Sequence, residues 1–231
     1  MITLIKKTRI TELDFLRGIA LILMIYFHLI WSMKEMFGYD VSYTFWINFY
    51  IGKFSAILFI LISGIVYSFG RFNIKRFLLL AGIAILISVA TYFYSSATFI
   101  KFGILHFFAL SSLVALLFSK SNKYISILIG IWIIVAWLRI NTIHPNTDYF
   151  FFVWIVSKSF QSADYYPLIP WFGIYLIGMW LSKILYKRKQ NLFWNTLHFA
   201  PINFFGRNTL IIYLIHQPII IWVLYVIKLL S

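Results

Sequence analysis

The sequence predicts an all-α fold: a polytopic transmembrane helical bundle of about seven spans plus a candidate re-entrant segment, in a single domain over residues 1–231. Three observations predict it. The chain is 62% hydrophobic and only 11% charged. Its apolar stretches recur near the roughly twenty residues that carry a helix across a bilayer. Basic residues cluster beside alternate stretches, as cytoplasmic loops do. The alternating pattern of a β-barrel is absent, and no long linker, low-complexity tract or internal repeat divides the chain.

In chain order the expected spans are Leu13 to Met33, Phe45 to Phe69, Phe77 to Tyr94, Phe102 to Phe118, Ile125 to Leu138 extended at both ends, Pro167 to Tyr186, and Asn208 to Leu230. The first is too long for a cleavable signal, is interrupted by Arg17 and lacks a small-residue cleavage site, so it is expected to remain as a helix. Lys6, Lys7 and Arg9, then Arg71, Lys75 and Arg76, then Lys120 and Lys123, then Lys187, Arg188 and Lys189 all fall on the cytoplasmic side if seven spans alternate. This orientation in the cell membrane puts the N-terminus inside and the C-terminus outside. A further crossing at Asp148 to Val156 would reverse the last basic cluster, so that segment reads as re-entrant or interfacial at the outer surface. The formal charge of +14 sits in loops beside apolar spans, where it meets anionic headgroups rather than nucleic acid. With no cysteine, the chain has no disulfide, thiolate nucleophile or cysteine ligand. Its histidines show no close metal-ligand spacing.

Polar residues inside the spans point to a site. Arg17 and His28 are eleven residues apart, about 1100° of helix, so both lie on one face about 16 Å apart. Asp14, about one turn earlier, joins that face. Ionisable groups at membrane depth are costly and usually line a bundle interior, cavity or ligand path. Counting depth along the spans puts His28 and His106 in one layer near the outer side, approached by the loop carrying Asp164. His216 falls about 12 Å into the last span, between the levels of Arg17 and His28. That span begins after Gly206 and Arg207, with Asn208 and Thr209 as candidate caps, and carries Tyr213, Gln217 and a helix-bending Pro218. Each residue has a structural alternative: Arg17 as an anchor paired with Asp14, His28 bonded to a neighbouring carbonyl, His106 and His216 as packed histidines, Asp164 as a loop brace. His144 and His198 read as loop or interfacial residues.

Five blocks of the chain resemble the heparan-alpha-glucosaminide N-acetyltransferase catalytic-domain family, within the membrane acyltransferase superfamily. They are Arg9-Ile10-Thr11-Glu12-Leu13-Asp14-Phe15-Leu16-Arg17-Gly18 with Met24 and His28; Phe59-Ile60-Leu61-Ile62-Ser63-Gly64-Ile65; Phe102-Gly103-Ile104-Leu105-His106; Tyr166-Pro167-Leu168-Ile169-Pro170-Trp171-Phe172-Gly173; and Gly206-Arg207-Asn208-Thr209-Leu210 running to His216-Gln217-Pro218. They lie in the family's order, although many relatives have ten or more spans. The resemblance implies transfer of an acetyl or other short acyl group from cytoplasmic acyl-CoA to an envelope glycan or lipid-linked sugar, without a metal. In that setting Arg17, with Asp14 and Arg207, is expected to hold coenzyme A phosphates, since guanidinium binds phosphate bidentately. His28 is expected to be the general base and Asp164 to orient it, with His106 and His216 as second choices and Ser63 as a weaker nucleophile. Membrane lipids and a homo-oligomer are the other expected partners. A transporter or lipid-handling protein using the same polar track is the rival reading, and a noncatalytic subunit the third.

Overall fold

The computed structural model describes residues 9–70, 72–192 and 199–230. Lys6, Lys7, Arg71 and His198 lie outside them. The described residues form helices α1 (Thr11–Glu35), α2 (Trp46–Tyr67), α3 (Ile74–Tyr94), α4 (Ile104–Val114, continued by a 3-10 turn Ala115–Phe118), α5 (Lys123–Ile140), α6 (Leu168–Ile184), α7 (Ala200–Arg207) and α8 (Thr209–Leu230). The protein is an all-α, polytopic membrane bundle. Five helices, α1, α2, α3, α5 and α8, are long and apolar enough to cross a bilayer. The stretches 104–118 and 168–184 are shorter, about 22 and 26 Å at helical rise against a hydrocarbon core of about 30 Å.

Local chemistry sets the element ends. The Asn73 side chain accepts the Arg76 amide hydrogen at 3.2 Å and starts α3, and Asn122 does the same for Tyr124 at the start of α5. Ile169, held before Pro170, is extended (φ −97°, ψ 125°), so regular helix in α6 begins only after it. Asn208 and Thr209 differ from expectation. Their side chains bond backwards, to the Phe204 and Gly206 carbonyls, and so close the C-terminus of α7 instead of opening α8. The short α7 itself has no counterpart in the apolar pattern, because eight residues are too few to register as a span. Residues 148–156 form turns with an isolated bridge between Phe150 and Ile155, and no helix.

Two compact units are distinguished: residues 1–62 with 188–231, and residues 63–187. In the first, α1 packs against α7 and α8, and the Ser55 hydroxyl of α2 donates to the Ala20 carbonyl of α1 at 2.8 Å. In the second, α5 and α6 make the closest pair. They cross at two glycines: a Cβ on Gly173 would lie 2.6 Å from the Gly130 carbonyl oxygen, and one on Gly130 would lie 2.8 Å from the Gly173 oxygen. The Lys183 ammonium donates to the Ser121 carbonyl at 2.8 Å and ties α6 to the turn after α4. Leu78, Leu79, Ile85 and Leu86 of α3 and Leu128, Trp132 and Leu138 of α5 are exposed, as expected for helices whose outer solvent is lipid.

The α5–α6 crossing leaves no room for a side chain, whereas Gly82 of α3 faces open space. Gly173→Val should lower stability by about 1–3 kcal/mol, read as a drop in thermal midpoint in detergent. Gly82→Val should change it little, and equal effects would contradict the packing.

Candidate functional site

In the first unit the site is built on α1. Glu12 and Asp14 lie in its first turn, where carboxylates complement the unpaired amide hydrogens of a helix start. Glu12, 1% exposed, accepts the Leu192 amide hydrogen with both carboxylate oxygens, at 2.9 and 3.0 Å. Asp14 is 2% exposed and gathers three guanidinium groups: Arg9 Nε at 2.5 Å, Arg17 Nη1 at 3.1 Å and Arg207 Nε at 3.9 Å. Arg17 reaches it because residues three apart share a helix face. Arg207 reaches it because α7 lies backbone to backbone on α1. A Cβ at Gly206 would sit 1.7 Å from the Asp14 carbonyl oxygen, and one at Gly18 would sit 2.1 Å from that of Ile202. Asn203, 1% exposed, locks this approach by donating to the Thr11 carbonyl at 2.9 Å and accepting from the Phe199 amide at 2.9 Å. Three guanidinium groups converge on this one carboxylate.

Further along α1, His28 Nδ1 lies 2.9 Å from the Met24 carbonyl, and on α8 His216 Nδ1 lies 2.5 Å from the Tyr213 carbonyl. A carbonyl only accepts, so both neutral rings carry their proton on Nδ1 and present a lone pair at Nε2. The rings meet edge to face, centroids 4.9 Å apart. The Gln217 amide donates to Ser32 Oγ at 2.9 Å, one helical turn beyond His28 on α1. Among the described residues, His216 Nε2 and Gln217 Oε1 are buried without a hydrogen-bond partner.

The depth count from sequence separated His216 from His28, and the structure brings them into contact. Gly206 packs at the level of Asp14 to Gly18, already inside α1. From that level His28 is about 18 Å further on and His216 about 15 Å, nearly the same height.

The second unit holds His106 and Asp164 at the start of α4. His106 Nδ1 accepts the Gly103 amide hydrogen at 3.2 Å, so its Nε2 proton points to Ser88 Oγ at 3.2 Å, and the Ser88 hydroxyl donates to the Ile100 carbonyl. Both ring nitrogens are therefore engaged. Asp164 Oδ2 accepts the Ile104 amide hydrogen at 3.1 Å, while Ala163 and Tyr166 amides donate to the Thr98 and Phe102 carbonyls. Burial pushes the Asp164 carboxyl up to about 6, against the downward pull of the Ile104 and Tyr165 amides. His144 braces its loop through the Val156 carbonyl.

The structure thus joins Asp14, Arg17 and Arg207 in one cluster and His28 with His216 in another, and gives His106 and Asp164 a common place in the other unit. Sequence reasoning missed Arg9, Asn203 and Ser32 as site-building residues. Arg9 had a signal, standing five positions before Asp14. No group of three or more His, Asp or Glu side chains suited to a metal ion occurs among the described residues.

A family model, Heparan-alpha-glucosaminide N-acetyltransferase, catalytic, matches residues 9–218, a stretch that begins at Arg9 and ends just past Gln217. No curated protein and no solved structure matches the chain.

Two stability measurements test this geometry. Asp14→Ala removes the buried acceptor of the Arg9 and Arg17 guanidinium hydrogens and should destabilise by about 1–3 kcal/mol, read by thermal unfolding in detergent. The raised Asp164 value means that the folded protein holds this proton more tightly than the unfolded chain. Stability from it is present below about pH 4 and lost as pH rises through about 6. Asp164→Asn should flatten the fall in thermal midpoint across that window, and an unchanged slope would contradict the assignment.

Proposed function

From the premise that the chain belongs to the heparan-alpha-glucosaminide N-acetyltransferase catalytic-domain family, we propose that it moves an acetyl or other short acyl group from cytoplasmic acyl-CoA to a hydroxyl or amine on an envelope glycan or lipid-linked sugar. The observation that carries this reading is the division of labour along α1. An arginine cluster stands at one end, and about 21 Å further along from Asp14 stand two imidazoles with accepting Nε2 atoms.

Arg17 and Arg207, kept in place by Asp14, bind the phosphates of the donor through charge-assisted hydrogen bonds. The long phosphopantetheine arm then runs along α1 and delivers the thioester to the histidine level. His28 Nε2 removes the acceptor's O–H or N–H proton as that oxygen or nitrogen attacks the thioester carbonyl carbon. The carbon–sulfur bond breaks, the acyl group stays on the acceptor, and the proton passes to the coenzyme A thiolate. The Met24 carbonyl holds His28 in the tautomer this needs. His216 stands beside it, edge to face. His106 and Asp164 fix the start of α4 within the second unit. The topology in this proposal is seven spans, with 104–118 and 168–184 as the two short ones, the N-terminus cytoplasmic and the C-terminus external.

Purified protein in lipid nanodiscs, given labelled acetyl-CoA with a panel of amino sugars and envelope glycans, should release free thiol and label the acceptor. His28→Ala should reduce this about 10²–10⁴-fold without changing elution on size exclusion. Arg17→Gln should raise the KM for the donor about tenfold, through loss of a charge-assisted contact. Substrate movement across the bilayer with no thiol release would favour the transporter reading instead.

A further inference from the structure

The α1–α8 contact beyond His28 has one-sided chemistry. His216 is 7% exposed, and its Nδ1 proton is committed to the Tyr213 carbonyl, which leaves Nε2 as a buried lone pair. The neighbouring Gln217 spends one of its two amide hydrogens on Ser32 Oγ, and its Oε1 is a second buried acceptor. Ser32 itself is fully buried and bonds the amide end of that side chain. Acceptors gathered in a low-dielectric interior are satisfied by a molecule that brings donors, and leaving one unmade is expensive.

We infer that His216 Nε2 and Gln217 Oε1 form an acceptor subsite that reads two further O–H or N–H donors next to the group being acylated, with Ser32 as the positioning residue for Gln217. The inference rests on the acyltransfer reading and sharpens it. A sugar ring, the acceptor that reading already names, carries such neighbouring donors, so single-hydroxyl lipids are discriminated against by His216 and Gln217. His28 takes the proton of the reacting group, and the other two side chains accept hydrogen bonds from its neighbours without any bond to them being made or broken.

The test compares acceptors within one preparation, so that the folded fraction cancels in each ratio. Protein in nanodiscs receives labelled acetyl-CoA with methyl glucoside, methyl glucosaminide, each of their monodeoxy analogues, and 1-octanol. For the wild type, kcat/KM should fall roughly tenfold to a hundredfold when a hydroxyl neighbouring the acylated position is removed, and 1-octanol should be a poor acceptor. Gln217→Met should erase the penalty at one neighbouring position, His216→Phe the penalty at another, and Ser32→Ala should weaken the one that Gln217 sets. Deoxy penalties that persist unchanged in Gln217→Met and His216→Phe, or equal use of 1-octanol and the sugars, overturn the inference while the acyltransfer reading stands. Thiol release no greater than that of His28→Ala with every sugar overturns that reading, and this inference falls with it.

Discussion

A carboxylate removed from water costs several kcal/mol unless charges and hydrogen bonds replace its hydration. Asp14 is such a group, and most of the first unit follows from how that cost is met. Arg17 comes from the same helix, Arg9 from the segment before it, and Arg207 from almost two hundred positions later in the chain. The last of these requires α7 to lie in backbone contact with α1, which only a glycine at position 206 permits. Once that contact is made, the start of α8 is fixed against α1. The register that brings His216 to His28, and Gln217 to Ser32, is inherited from it.

The polar groups of the molecule fall into two physical classes. Glu12, Ser55, Asn203, His106 and Asp164 each give their hydrogen bonds to backbone groups at helix ends or crossings, and such satisfied networks hold a bundle in one arrangement. His216 bonds a backbone carbonyl, and Gln217 the Ser32 hydroxyl, with only half of each side chain. In a membrane bundle, where no bulk water compensates, the other half is left without a hydrogen-bond partner, and the proposed subsite is built on it. The same reasoning separates the two histidine layers. His106 is committed at both ring nitrogens, whereas His28 and His216 are each tied to a carbonyl by Nδ1 alone.

Much of the bundle is legible without coordinates. The five long helices match the apolar runs to within a few residues, because span length is a property of local composition. The shared face of Asp14 and Arg17 is equally local, since helical periodicity alone pairs residues three apart. The one-sided bond of His28 to a neighbouring carbonyl was an alternative the sequence already offered. The eight residues of α7 escaped notice because they are too short and too mixed to stand out, and Asn208 and Thr209 were misplaced with them.

What the sequence determined by itself is therefore the membrane bundle, the family, and the polar face of the first helix. These depend on composition, on motif order and on a fixed 100° turn per residue. Tertiary structure alone decided that Arg207 completes the Asp14 cluster, that His216 meets His28 instead of lying between the levels of Arg17 and His28, and which ring nitrogens remain free to accept. Those outcomes turn on where two helices touch. A contact at Gly206 shifts every later residue of α8 along α1, and no periodicity within either helix records that offset.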